Sequence, residues 1–267
     1  MFREVRFEVL GPVRGWRGES ELELGSPQQR AVLVMLLLAR GRQVSLDGFI
    51  DGLWEEKVPK SAGNTVRTYV SRLRRRVDSI ESVGDGYVLR LGSAVLDLDV
   101  FEERLGAGRA ARQDHDDVRG ARLLRDAVGL WRGAALAGIP GPYAGSRRVP
   151  LAELYLAATE EKLAADISLG EDAAAIAELR PLLAEHPFRE GLTELLMLAL
   201  YKSGRQAEAL CVFDGVRRRL DEELGVRPGP ALQAMHRRVL QADRRLMDTA
   251  AGRPTGRCLA VMAGGRI

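Results

Sequence analysis

"NTVRTYVSRLRRRV", residues 64–77, holds five arginines and no acidic residue, in a chain whose formal net charge is only +3. On a helical wheel Val66, Val70, Leu73 and Val77 fall on one narrow stripe, which predicts a helix with that stripe turned to a core. The opposite side carries Asn64, Thr68, Ser71 and Arg75, flanked by Arg67 and Arg72, with Arg74 and Arg76 at the shoulders. Short polar groups mixed with arginine suit base edges: Arg offers two donors to guanine, Asn can pair with adenine, and Thr supplies a methyl or a hydroxyl. The shoulder arginines suit phosphates. Arg72 and Arg76 stand four apart, and no acid within the stretch relieves their repulsion, so an anionic partner is expected. Tyr69 is expected to flank the core. A solvated basic surface helix would share this composition, so the neighbouring segments have to decide.

Upstream, "EVRFEVLGPVRGWRGESELEL" (4–24) alternates apolar and polar residues around Gly-Pro and Arg-Gly, which predicts a short antiparallel meander with Val5, Phe7 and Val9 on one face and Leu22 and Leu24 on another strand. "GSPQQRAVLVMLLLARG" predicts a helix with Ser26 as N-cap, Pro27 at its first position and Gly41 as the stop. It is apolar nearly all round and so belongs at the centre of a domain. "VSLDGFIDGLWEE" (44–56) predicts a second helix capped by Ser45, with Leu46, Phe49, Ile50, Leu53 and Trp54 inward. After the arginine helix, Gly84-Asp85-Gly86 within "IESVGDGYVLRLG" signals a hairpin. Strands, three helices and a hairpin are the order of a winged helix-turn-helix, whose last helix enters a DNA groove. Between Lys57 and Val77 seven positive charges occur and no negative one, the local patch that steers toward phosphates.

From residue 97 the texture becomes helical throughout. "LDLDVFEERLGAGRAARQ" and "DVRGARLLRDAVGLWRG" predict two antiparallel helices, and a Gly/Pro-rich loop leads to a long helix at roughly 149–169. Helix pairs of tetratricopeptide period follow, with "SGRQAEAL" at a turn and Ala209 and Phe213 spaced for close packing. The expected fold is therefore mostly α with a small β component: a winged helix over 1–96, an all-α tetratricopeptide-like array over 97–245, and a tail over 246–267 that is either disordered or a capping strand.

Other chemistry is sparse. Cys211 and Cys258 lie far apart, which fits a reducing cytoplasm, and the apolar run "AVLVMLLLA" is too short to span a bilayer. The N-terminus lacks an apolar signal core. "QDHDDV", with His115, reads as a capped helix start rather than a metal site, and His186 and His236 are remote from it. There is no Ser/His/Asp grouping, no P-loop and no dinucleotide fingerprint, so neither an enzyme nor any cofactor or metal is expected.

Several segments together, "FEVLGPV", "AGNTVRTYVSRLRRRV", "GDGYVLRL", "LDLDVFEERL", "AVGLWRGAAL" and "LMLALYKSGRQAEALCVFDGVRRRLDEELGVRPGPAL", resemble the Streptomyces antibiotic regulatory protein family over about residues 4–245. The resemblance implies a response-regulator-type winged helix joined to a bacterial transcriptional activation domain. It further implies a cytoplasmic, nucleoid-associated activator of secondary-metabolite clusters that binds direct repeats of double-stranded DNA as a dimer or side-by-side pair and recruits RNA polymerase holoenzyme through its sigma factor. By position, Asn64, Thr65, Thr68, Tyr69, Ser71, Arg72 and Arg74 fall in the recognition helix and Gly86-Tyr87 in the wing. Trp54 corresponds to a phosphate-contacting tryptophan or to a core anchor, and Arg90 either reaches the minor groove or ends a strand. Glu55, Glu56, Lys57 and Lys60 fall in the polymerase-facing loop. Gly63 departs from the arginine usual there. No receiver domain is found, and an appended ATPase is not expected in a chain of this length. A second reading, from a different class, is a helical-repeat adaptor or ligand-sensing regulator whose basic helix is incidental.

Overall fold

The computed structural model describes residues 5–77 and 79–247. They form two compact units divided between Thr159 and Glu160. The boundary expected at 96/97 therefore falls inside the first unit. Of the expected tail, residues 248–267 lie outside the described residues, whereas Leu246 is buried in a 3-10 turn, Arg244–Met247. Among the described residues no helix is long and apolar enough to cross a membrane.

In the first unit, β1 (Val5–Glu8), β2 (Arg14–Arg17) and β3 (Ser20–Glu21) form the expected meander, and a fourth strand, β7 (Val95–Leu96), adds parallel to β1 in the order β3-β2-β1-β7. Leu22 and Leu24 fall just past β3 rather than within a strand. Helix α1 (Pro27–Leu38) starts as its sequence dictates: Ser26 Oγ accepts from the Gln29 N–H, and Pro27 gives up a donor that had no helical partner. Ala31 through Leu37 are all buried. The helix closes at Ala39, and both Arg40 (φ 49°) and Gly41 (φ 76°) adopt the left-handed region.

A two-residue strand, β4 (Val44–Ser45), precedes α2 (Leu46–Leu53), where Ser45 Oγ accepts from the Gly48 N–H at 3.1 Å. Phe49 and Leu53 are buried; Leu46 and Ile50 are only half so. Trp54 leaves the helix with extended backbone instead of ending its inner stripe. Helix α3 (Ala62–Arg74) follows, then the hairpin β5 (Ile80–Val83) and β6 (Gly86–Leu89), giving a second sheet ordered β4-β6-β5. The two glycines of the hairpin serve different ends. Gly84 (φ 53°) makes the turn, whereas a Cβ on Gly86 would stand 2.1 Å from the Val44 carbonyl oxygen, so only glycine lets β4 pair there.

Helices α4 (Asp97–Gln113) and α5 (Asp117–Val128) pack on one another, their backbones drawn together at Gly108 and Gly120. The start of α5 is capped as expected: Asp116 accepts from the Arg119 N–H, and His115 turns the corner at φ 61°. It ends at Val128, so "GLWRG" is not helical. Asp97, 4% exposed, accepts from the backbone N–H groups of Val9 (2.8 Å) and Leu10 (3.0 Å) and from Arg132 (2.9 Å). Residues 132–137 also lie along the chain after β1, with Arg132 and Leu136 donating to the carbonyls of Leu10 and Val9. These bonds knit the winged helix to the segment that follows it. Helix α6 (Pro142–Ser168) begins seven residues before the expected 149, because Pro142 is a suitable first helical residue and Pro150 is accommodated inside the helix.

In the second unit α7 (Asp172–Glu185), α8 (Glu190–Lys202), α9 (Gln206–Leu224) and α10 (Pro230–Leu240) stack sequentially, with α10 against both α8 and α9. Ala209 and Phe213 are buried on α9 as their spacing requires, and Gly225 (φ 65°) caps that helix.

Burial pushes the Asp97 carboxyl above its ordinary pKa, against its two N–H donors and Arg132, which pull it down. A raised folded-state pKa means that this group's titration favours the fold most below the unfolded value and loses that contribution as pH rises through the folded one. Asp97→Ala would strand two backbone donors and Arg132. It should cost about 3 kcal/mol in denaturant unfolding, and a loss under about 0.5 kcal/mol would contradict this reading of the joint.

Candidate nucleic-acid interface

Helix α3 lies on α1 and α2 through the stripe expected of it: Val66, Val70 and Leu73 are at most 1% exposed, and Val77, just past the helix end, is 3%. Ala62 joins this face at the first turn. The other side is open. Asn64, Arg67, Thr68, Ser71, Arg72, Arg75 and Arg76 are exposed and Thr65 is half-buried.

The exposed groups are ordered among themselves. Arg67 donates to Asn64 Oδ1 at 3.0 Å, and the hydroxyls of Thr65 and Thr68 donate to the carbonyls of Ser61 and Asn64, which leaves each threonine with a methyl and an acceptor oxygen. The guanidinium groups of Arg72 and Arg75 make no hydrogen bond or ion pair among the described residues. Tyr69 donates to Gln28 on α1 at 2.7 Å, which holds it at the core's flank as expected.

Two arginines depart from the expectation. Arg74 is not a free shoulder: it donates to the Ile80 carbonyl (2.9 Å) and Ser82 Oγ (2.8 Å), and its guanidinium lies 5.4 Å over the Tyr87 ring. Arg76 pairs with Glu23 at 3.1 Å, and its own carbonyl accepts from Arg17. The repulsion expected between Arg72 and Arg76 is thus relieved by an acid 53 positions away, and the helix has already ended at Arg74.

The hairpin stands beside α3. Tyr87 packs between Arg74 and Phe49, with ring centroids 6.1 Å apart in the latter pair, so it roots the wing rather than tipping it. Gln43 Nε2 donates to Asp85 at 2.9 Å and fastens the turn from the other side. Arg90 lies at the base of the hairpin, 3.5 Å from Glu81 across the strands, at the end away from the turn. Trp54 is half-buried at the close of α2 and lines a cleft of about 390 Å³ with Glu55, Glu56 and Lys57. Glu55, Glu56, Lys57 and Lys60 are all exposed on the loop joining α2 to α3. Gly63 has room for a side chain, since a Cβ there would meet nothing closer than Leu46 at 3.4 Å. Among the described residues no group of His, Cys, Asp and Glu is arranged to hold a metal ion.

This is a winged helix-turn-helix with a basic, polar third helix facing out, followed by a tetratricopeptide-like helical region. Residues 19–89 match the model for the C-terminal domain of transcriptional regulatory proteins, and residues 96–240 match that for the bacterial transcriptional activator domain. The regulatory protein AfsR of Streptomyces coelicolor is 49% identical over 92% of this chain. The match takes in only 25% of AfsR, so the chain spans about a quarter of that relative's length. The transcriptional regulator RedD of the same organism is 34% identical over 90% of this chain and 71% of its own. EmbR of Mycobacterium tuberculosis, solved in complex with a low-affinity phosphopeptide, superposes with a TM-score of 0.84 at 33% identity, over 93% of this chain and 69% of that one. The chain belongs to the Streptomyces antibiotic regulatory protein family of transcriptional activators.

Because Arg74 ties helix to wing, Arg74→Ala should lower stability by about 1–2 kcal/mol. Arg72→Ala and Arg75→Ala, which break nothing in the fold, should stay within about 0.5 kcal/mol of wild type in the same melts. Equal losses for all three would contradict the brace.

Proposed function

We propose that this chain activates transcription of a secondary-metabolite cluster by binding direct repeats in promoter DNA. In this reading α3 enters the major groove. Arg72 and Arg75 contact guanine edges, Asn64 pairs with adenine, Thr68 and Ser71 read neighbouring bases, and Arg67 and Arg76 meet phosphates. The observation that carries it is the pair Arg72 and Arg75, exposed and unneutralised on the face opposite a fully buried valine/leucine stripe. A guanidinium without a protein partner retains the fork that a guanine or a phosphate accepts.

Arg74 and Tyr87 act through the position of the wing, whereas Arg90 serves the base of the hairpin. Two copies bound side by side on a tandem repeat would present two α2–α3 loops, with Glu55, Glu56, Lys57 and Lys60, toward the sigma factor of RNA polymerase holoenzyme. The family membership supports transcriptional activation; the target operon class, the repeat and the polymerase contact are the proposal's own.

In fluorescence anisotropy on promoter duplex, Arg72→Ala and Arg75→Ala should each lose about 1–3 kcal/mol of binding, and a loss of sequence preference should accompany it. Wild-type affinity should fall steeply as salt rises. Salt-insensitive binding, or variants that bind as wild type does, would sink the reading. Gly63→Arg restores the family's residue where a side chain fits, and should tighten binding to all sequences while steepening the salt dependence by roughly one unit.

A further inference from the structure

In the first unit a cleft of about 790 Å³ opens between β2–β3, the start of α1 and the end of α3. Five arginines line it: Arg14, Arg30, Arg72, Arg75 and Arg76. Two acids answer them, Glu23 at 3.1 Å from Arg76 and Glu21 at 3.8 Å from Arg14. Arg30, Arg72 and Arg75 remain without an ion pair among the described residues. Arg30 stands out further, because its Nε is wholly buried and has no acceptor in the structure. A buried guanidinium N–H left unpaired is costly, and nothing among the described residues offsets the charge of Arg30.

The chemistry of the lining selects the ligand. Three unneutralised guanidiniums around one concavity call for an oxyanion of more than one charge, and their planar forks match the tetrahedral oxygens of phosphate. The largely polar wall does not suit an apolar ligand.

We infer that this cleft binds a phosphate group through Arg30 from α1, with Arg72 and Arg75 from α3 joining it when the group belongs to a soluble molecule rather than to DNA. Two sources carry that chemistry, a soluble polyphosphorylated molecule and the backbone of bound DNA. A soluble ligand would compete with DNA for Arg72 and Arg75. Only that competition rests on the DNA-binding reading of α3; occupancy of the cleft does not.

The test uses the full chain and Arg30→Gln, a residue outside the reading face, in phosphate-free buffer. Inorganic tripolyphosphate is titrated calorimetrically without DNA, and promoter duplex is titrated separately by anisotropy. If the source is soluble, tripolyphosphate saturates one site, Arg30→Gln weakens it at least about tenfold, and duplex affinity stays within about threefold. If the source is DNA, tripolyphosphate does not saturate, while Arg30→Gln lowers duplex affinity and reduces the salt slope by roughly one. A variant that changes neither titration overturns the inference. A wild-type chain that ignores duplex but binds tripolyphosphate through Arg30 refutes the DNA reading and upholds the cleft. Thermal melts check the fold; should Arg30→Gln fail to fold, Arg30→Lys, which keeps the charge but loses the fork, takes its place with the same expected direction.

Discussion

Val66, Val70, Leu73 and Val77 are removed from water against α1 and α2, and that burial decides which way every other residue of α3 points. Four large aliphatic side chains contribute on the order of 1.5–3 kcal/mol each when fully buried, far more than any exposed polar contact on the opposite face. The exposed polar face is therefore a consequence of the core. Rotating the helix to hide an arginine would expose the stripe, and the fold does not offer that exchange. The rest of the first unit holds this arrangement still: α1 as the buried platform, Arg74 reaching into the hairpin, and Gln43 fastening the turn from behind.

The same logic explains why the arginines of one short stretch have different fates. Arg74 is half-buried and has two hydrogen-bond acceptors and a ring beneath it, so its charge is spent on architecture. Arg76 meets Glu23 from the strand layer. Arg72 and Arg75 lie where the fold supplies no acceptor, and an external polyanion is the natural complement to them. A basic helix is thus a mixture of structural and available charge, and composition alone cannot separate the two.

Much of this was legible in the sequence because it depends on local pattern. The 3.6-residue period of the valine stripe, the serine caps at Ser26 and Ser45, and the Gly84-Asp85-Gly86 turn each carry their own signal, and each appears where expected. Most of the missed features are non-local. Strands β4 and β7 have two residues each, too few for any periodicity, and exist because β6 and β1 offer open edges. Gly86 was the available hint for β4, since a glycine next to a completed turn asks what backbone approaches it. The Asp97–Arg132 joint spans 35 positions and left no trace in composition. Likewise the start of α6 at Pro142 was hidden by glycines and prolines that read as a loop.

The central claim is that α3 reads guanine edges through Arg72 and Arg75. Methylation interference on promoter DNA from the gene's own neighbourhood tests it most directly, because N7 methylation blocks the acceptor a bidentate arginine needs. The account predicts guanines in each repeat whose methylation abolishes binding by wild type, with one of those effects lost in Arg72→Ala. Binding indifferent to guanine methylation at every position would contradict it.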